Sequence, residues 1–259
     1  MNIFDLEITQ SETLNNLPVD DAFIRDYSIF PDLKKTVEYM LSLQRSDGYW
    51  WFALEANETI GAEFIFLMYF LDEVDPTILK GIARRILDVQ RIDGTWALYK
   101  DGPANLSTTV ECYFALKLAG IDINSAIMRK ARDFILSKGG IEKTRVFTKI
   151  HLALFGIVPW RAVPAMPAEF ILLPNWFPVN IYEFSSWARA TIVPLLVVVS
   201  QRVTRKLNEN QLVEELFVNP PEKRDYSFKT EKGLISPEFF FILIDKGLKV
   251  LERIPFRVL

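Results

Sequence analysis

Gln44-Arg45-Ser46-Asp47-Gly48-Tyr49-Trp50 and Gln90-Arg91-Ile92-Asp93-Gly94-Thr95-Trp96 agree at five of their seven positions, and this repetition decides the fold. Each copy follows a stretch with apolar residues at helical spacing and charges between them: Val37, Met40 and Leu41 before the first, Ile78, Leu79, Ile82, Ile86 and Leu87 before the second. Those stretches predict helices with one wet face. Each copy is followed by a run that is apolar almost all round, 60–71 and then 110–118. Those runs predict buried helices. A worn third copy has Ile127, Ala131, Phe134 and Ile135 as its outer helix, Lys138-Gly139-Gly140 as its turn and 146–156 as its inner helix. Half-wet helices alternating with buried ones at a regular period are best satisfied by two concentric layers, whereas every helix of a four-helix bundle keeps a wet face. The predicted fold is therefore all-α, an α/α toroid or incomplete α/α barrel built from helix pairs.

The residues of the heptad have structural chemistry. Gly48 and Gly94 suit the left-handed conformation that ends a helix, and the Asp before each favours a turn. The Gln amide can satisfy backbone groups left free at helix ends, with the Trp ring covering it.

Composition narrows the function classes. The 259 residues include 20 Phe, 8 Tyr and 6 Trp, and half are apolar, enough for a large core without disulfides. Thirty basic and 33 acidic side chains give a net charge of −3 with no Lys/Arg-dense block, which argues against nucleic acid as a partner. Cys112 and His151 are single, so there is no internal disulfide and no Cys/His cluster with zinc spacing; no metal and no cofactor are expected. Asp5 and Glu7 stand where a secretory signal would carry a basic patch, which predicts a cytoplasmic chain. The longest apolar runs, 64–71 and 192–199, span eight residues, the second broken by Pro194. Crossing a bilayer takes roughly 20.

The paired Q-x-x-x-G-x-W turns resemble the QW repeats of squalene-hopene cyclases and related class II terpene cyclases. The similarity continues through Asp47-Gly-Tyr-Trp-Trp51, Thr95-Trp-Ala-Leu-Tyr99, Gly139-Gly-Ile-Glu142, Arg145-Val-Phe-Thr148 and the run from Asn180 to Thr191, and it ends at Pro255-Phe-Arg257. It leaves 1–32 as an N-terminal arm and 33–259 as the matching domain. In that family a longer chain builds two toroids, γ and β, around a substrate cavity, and this sequence is similar to most of γ. The family's β toroid carries a D-x-D-D acid that protonates a polyene. No D-x-D-D occurs here, and Asp20-Asp21 fits neither that motif nor the metal-binding D-D-x-x-D. The resemblance thus implies a partner β-type chain that supplies the acid, a linear isoprenoid such as squalene as substrate, and no activity from this chain alone. Further helices follow in the family before γ closes, so an apolar seam is expected.

Glu63 and Glu111 hold corresponding places in successive apolar runs. A carboxylate there needs a partner, because burying an unpaired charge is costly; read plainly, both belong to an internal ion pair with Arg145. The resemblance implies more: Glu63, Glu111 and Arg145 match residues that order water where the final cation is quenched, a polar terminus rather than the initiating acid. Phe147, Trp187 and Phe184 read plainly as core aromatics. By resemblance Phe147 and Trp187 line the cavity, where a desolvated cation–π contact contributes about 2 kcal/mol, and Phe184 and Ile192 border the entrance channel. His151 departs from the pattern, since the family's matching position is usually aromatic, often Trp. A lone His in an apolar helix is commonly structural, and the departure makes His151 a candidate for tuning how the reaction ends.

Pro159, Pro164, Pro167, Pro174 and Pro178 forbid one regular helix across 159–178. Residues 201–235, rich in charge and carrying Pro220-Pro221, read as an exposed connection. Ser236-Pro237-Glu238 starts a helix over 237–251. Its consecutive Phe239, Phe240, Phe241, Ile242 and Leu243 encircle the axis, so one core-facing stripe cannot bury them all. A subunit contact would cover the excess; related cyclases press such a helix into one leaflet, a monotopic anchor on the inner face of the membrane. Two other readings stand beside the cyclase subunit. One is a non-catalytic scaffold with the same packing. The other is a carbohydrate-active toroid with Glu63 and Glu111 as acid and base, disfavoured because both sit among Phe, Ile and Leu.

Overall fold

The computed structural model describes residues 31–52, 57–177, 180–228 and 236–251. Most of the 1–32 arm, Pro178, the end of the 201–235 connection and Pro255-Phe-Arg257 lie outside the described residues. The chain divides into two compact units, Met1–Glu55 and Ala56–Leu259. Among the described residues there is no strand, only an isolated antiparallel bridge between Ala97 and Ala104. The fold is all-α, as the periodicity requires.

In the first unit, helix α1 (Pro31–Ser42) leads into the first heptad. The Gln44 side-chain amide donates to the Gly48 carbonyl at 2.7 Å and the Trp50 indole N–H donates to the Met40 carbonyl at 2.6 Å. The local chemistry is as expected, but none of the α1 residues is buried and Trp50 is exposed.

The second unit holds α2 (Thr59–Leu71), α3 (Pro76–Asp88), α4 (Leu106–Leu118), α5 (Ala126–Ser137), α6 (Val146–Leu154), α7 (Ser186–Gln201) and α8 (Pro237–Leu251). Helix starts are written in the sequence. Asp75 accepts from the backbone N–H of Thr77 and Ile78 ahead of Pro76, and Asn105 accepts from Thr108 N–H. The outer helices bury one stripe each: Ala83 and Ile86 on α3, and Met128, Ala131 and Ile135 on α5. The inner helices α2, α4 and α6 pack on one another, and α4 also meets α3 and α5, so α4 is enclosed and all but two of its residues are buried. These are the two layers of an α/α toroid.

The second heptad joins α3 to α4. Gln90 donates to the Gly94 carbonyl at 2.8 Å and Trp96 donates to the Ile86 carbonyl at 2.8 Å, repeating the first heptad bond for bond. Gly94 is left-handed, φ +83°, and a Cβ there would collide with Lys130 Cβ. It does not cap the helix, however. Helix α3 stops at Asp88, and Gly94 closes a later Asp-Gly turn in which Gly94 N–H donates to Arg91 and Arg91 N–H to Thr95.

Two expectations need correction. Helix α2 is not buried all round: Ile60, Phe64, Leu67 and Leu71 form an exposed stripe opposite buried Ala62, Ile65, Phe66 and Met68. The middle of the 201–235 stretch is not exposed. Val213 and Leu216 are fully buried, because the buried Lys117 ammonium of α4 reaches Glu215 at 2.8 Å and also donates to the Leu212 carbonyl, drawing that segment onto the core. The proline-rich stretch forms short 3₁₀ turns at Trp160–Ala162 and Ala168–Leu172, as its prolines dictate. The start of α8 is capped by Ser236, whose hydroxyl accepts from Phe239 N–H at 3.2 Å. Phe240, Phe241, Leu243 and Ile244 are exposed on it, while Phe239 and Ile242 are half-buried. Among the described residues no helix is long and apolar enough to cross a membrane.

Candidate functional site

The period of the repeat places one polar side chain in the second turn of each inner helix: Glu63 on α2, Glu111 on α4 and His151 on α6. Because these helices pack side by side, equivalent positions converge, and the donor atoms of the three side chains lie within 4.8 Å of one another. Arg145 joins from the residue before α6, anchored by its backbone N–H, which donates to the Ser107 hydroxyl at 2.9 Å. The three residues expected at the polar terminus, Glu63, Glu111 and Arg145, are thus brought together, with His151 beside them.

Their environments differ. Glu111 is 1 % exposed and well provided for, with the Arg145 guanidinium at 3.4 and 3.5 Å from its two oxygens and the Thr148 hydroxyl donating to Oε1. Burial raises its pKa, and Thr148 and Arg145 oppose that rise. Glu63 lacks such donors. Burial and then repulsion from Glu111 push its pKa up to about 7, against the pull of Arg145. His151 is pushed the other way, to about 4, by burial and by the nearby Arg145 charge. Its Nδ1 lies 3.7 Å from Glu63 Oε1 and is buried without a hydrogen-bond partner. At neutral pH this contact joins a neutral imidazole to a carboxyl near half-protonation and is not an ion pair.

Behind the polar group stands an aromatic cluster that the sequence reading missed. Phe66 packs on Phe114 at 4.8 Å and on Phe155 at 6.1 Å between ring centroids, and lies 5.8 Å from the His151 ring. Thr148 was also missed. Its signal was available: it lies three residues before His151, on the same face of α6, and three after Arg145, the residue that precedes the helix.

Of the expected substrate-lining residues, His151 lies in the cluster. Phe147 and Trp187 are exposed, at 49 % and 75 %. Phe184 is half-buried against Phe170, edge to face at 6.3 Å, and Ile192 is half-buried on α7. Two clefts, of about 150 and 350 Å³, are lined by other residues, among them Trp160 and Val199 in the first, Tyr226 and Phe228 in the second.

Residues 33–259 match the family model described as squalene-hopene cyclase N-terminal domain, and the chain belongs to that family. It is 48 % identical over 194 residues to squalene–hopene cyclase of Alicyclobacillus acidocaldarius, covering 74 % of this chain and 31 % of the relative. A probable squalene–hopene cyclase of Sinorhizobium fredii is 41 % identical over 221 residues, covering 85 % of this chain and 34 % of the relative. Dammaradiene synthase of Dryopteris crassirhizoma is 36 % identical over 223 residues, with 86 % and 32 % covered. The chain therefore spans about a third of the length of these three relatives.

Proposed function

We propose that this chain is the γ-type part of a class II terpene or triterpene cyclase, forming one wall of a cavity for a linear polyprenyl such as squalene. The observation that carries this reading is the convergence of Glu63, Glu111 and Arg145 against an aromatic wall, at the positions the family resemblance marks as the polar terminus. A carboxyl near half-protonation at neutral pH can hold a water molecule or accept the proton that the last cation gives up as its C–H electrons form the closing alkene. Arg145 and Thr148 fix the second carboxylate beside it. The initiating acid comes from a β-type partner chain carrying D-x-D-D, the motif that the family resemblance assigns to the β toroid; residues 1–259 supply the polar terminus instead. Phe147 and Trp187 face that partner's side of the cavity, and Phe184 and Ile192 border its entrance; their exposure here is what an unassembled half would show. The exposed Phe240, Phe241 and Leu243, with Phe239 and Ile242 beside them, rest on the inner leaflet of the cytoplasmic membrane.

Incubation of the purified chain with squalene yields no cyclised product, and adding the β-type partner restores it. Turnover by the chain alone would reject the division of labour. Absence of product from the assembled pair would favour a scaffold without catalytic function.

A further inference from the structure

Spacing rules for metal motifs look for ligands close together in sequence and miss sets assembled by a structural repeat. Glu63, Glu111 and His151 are such a set, contributed one apiece by three neighbouring inner helices. A first-row divalent ion sits about 2.0–2.2 Å from nitrogen and oxygen donors, so it accepts donor pairs up to about 4.4 Å apart. The three donor atoms lie within 4.8 Å of one another, a few tenths of an ångström beyond that range at most, and Glu63 Oε1 and His151 Nδ1, 3.7 Å apart, are already inside it.

Two further observations point to a cation. The cluster contains two carboxylates and a single guanidinium, which leaves one negative charge unneutralised when both acids are ionised. Independently, His151 Nδ1 is buried with no hydrogen bond, an unsatisfied state that buried polar atoms seldom keep. A metal bond would satisfy it, and the O, O, N donor set suits a transition ion better than calcium or magnesium, which favour oxygen alone. Arg145 and Thr148 both hold the Glu111 carboxylate and would orient it from outside the coordination shell.

We propose that Glu63, Glu111 and His151 form a binding site for a first-row divalent transition-metal ion. Three protein donors leave positions open for water. The site does not depend on the cyclase reading, because a scaffold with the same packing would bind the ion equally.

The test is titration of the chelator-treated full chain with Co²⁺, followed by its visible ligand-field absorption. The expected result is saturable binding of one ion per chain, displaced by Zn²⁺, with affinity falling at least about tenfold in Glu63→Gln and His151→Phe, as even outer-shell changes can cause. Circular dichroism checks that each variant is folded, and His151→Gln replaces His151→Phe if the larger change disrupts α6. Cys112→Ser leaves the band unchanged. Absence of a saturable band, undiminished affinity in the folded Glu63 and His151 variants, or a band that depends on Cys112 would overturn the proposal.

Discussion

The first and second repeats use the same local bonds and differ in the exposure of the residues that make them. In each heptad the Gln amide donates to the Gly carbonyl and the indole N–H to a carbonyl of the preceding helix. Yet Trp50 is 41 % exposed and Trp96 1 %. The inner helices diverge likewise: α2 shows a stripe of Ile60, Phe64, Leu67 and Leu71, while α4 is enclosed. Even the equivalent glutamates part, Glu111 bound by Thr148 and Arg145, Glu63 facing an unpartnered imidazole nitrogen. The heptad therefore specifies a turn and not a degree of burial. Burial comes from neighbouring layers, and α4 has them on every side.

The contrast is tested most strongly at the tryptophans. Trp96→Ala removes a fully buried ring and should cost about 3–5 kcal/mol, read from denaturant midpoints. Trp50→Ala removes an equivalent hydrogen bond with much less buried surface and should cost less than half as much. Equal losses would mean that the local bond, and not the surrounding packing, sets the energy of the motif.

A smaller difference separates the glutamates. Glu111→Leu strands the Thr148 hydroxyl and leaves Arg145 without its carboxylate; since Arg145 is 38 % exposed and can turn to water, the expected cost is about 2 kcal/mol rather than the full loss of a buried pair. Glu63→Gln removes a carboxylate repelled by Glu111 and should change stability by less than about 0.5 kcal/mol, or raise it. Urea titrations at pH 7 with EDTA present compare the two, and similar costs would show that the repeats treat their glutamates alike.

What the sequence made legible follows the same division. The heptad's hydrogen bonds, the Asp75 and Asn105 caps and the apolar stripes of α3 and α5 depend on residues a few positions apart, and each is present. The convergence of Glu63, Glu111 and Arg145 was readable because a repeat period carries long-range information that a unique sequence lacks. The exposed stripe of α2 was not readable, since an all-round apolar helix looks the same whether or not a neighbour covers it. Nor was the burial of Val213 and Leu216, which depends on Lys117 meeting Glu215 across nearly a hundred residues of sequence. Gly94 was assigned the right conformation and the wrong task, because a left-handed glycine serves helix caps and Asp-Gly turns equally well.

The subtlest expected effect is a pH dependence that the intact pair conceals. The raised carboxyl of Glu63 stays protonated in the folded chain between its ordinary value near 4.5 and about 7, where the unfolded chain has lost that proton; stability from this group falls as pH rises through the window. The lowered imidazole of His151 stays neutral in the folded chain between about 4 and its ordinary 6.5, where the unfolded chain is protonated, so stability from this group rises with pH. From about pH 4.5 to 6.5 the two slopes oppose and largely cancel. Each single variant should expose the other's slope in metal-free buffer: Glu63→Gln becomes more stable as pH rises, and His151→Phe less stable. One full proton corresponds to about 1.4 kcal/mol per pH unit, and partial solvent access to both groups reduces this to less than about 1. Urea midpoints at pH 4.5, 5.5 and 6.5 measure it. Parallel profiles for wild type and both variants would mean that the first repeat's glutamate is as well satisfied as the second's, and the asymmetry between the repeats would not extend to their charges.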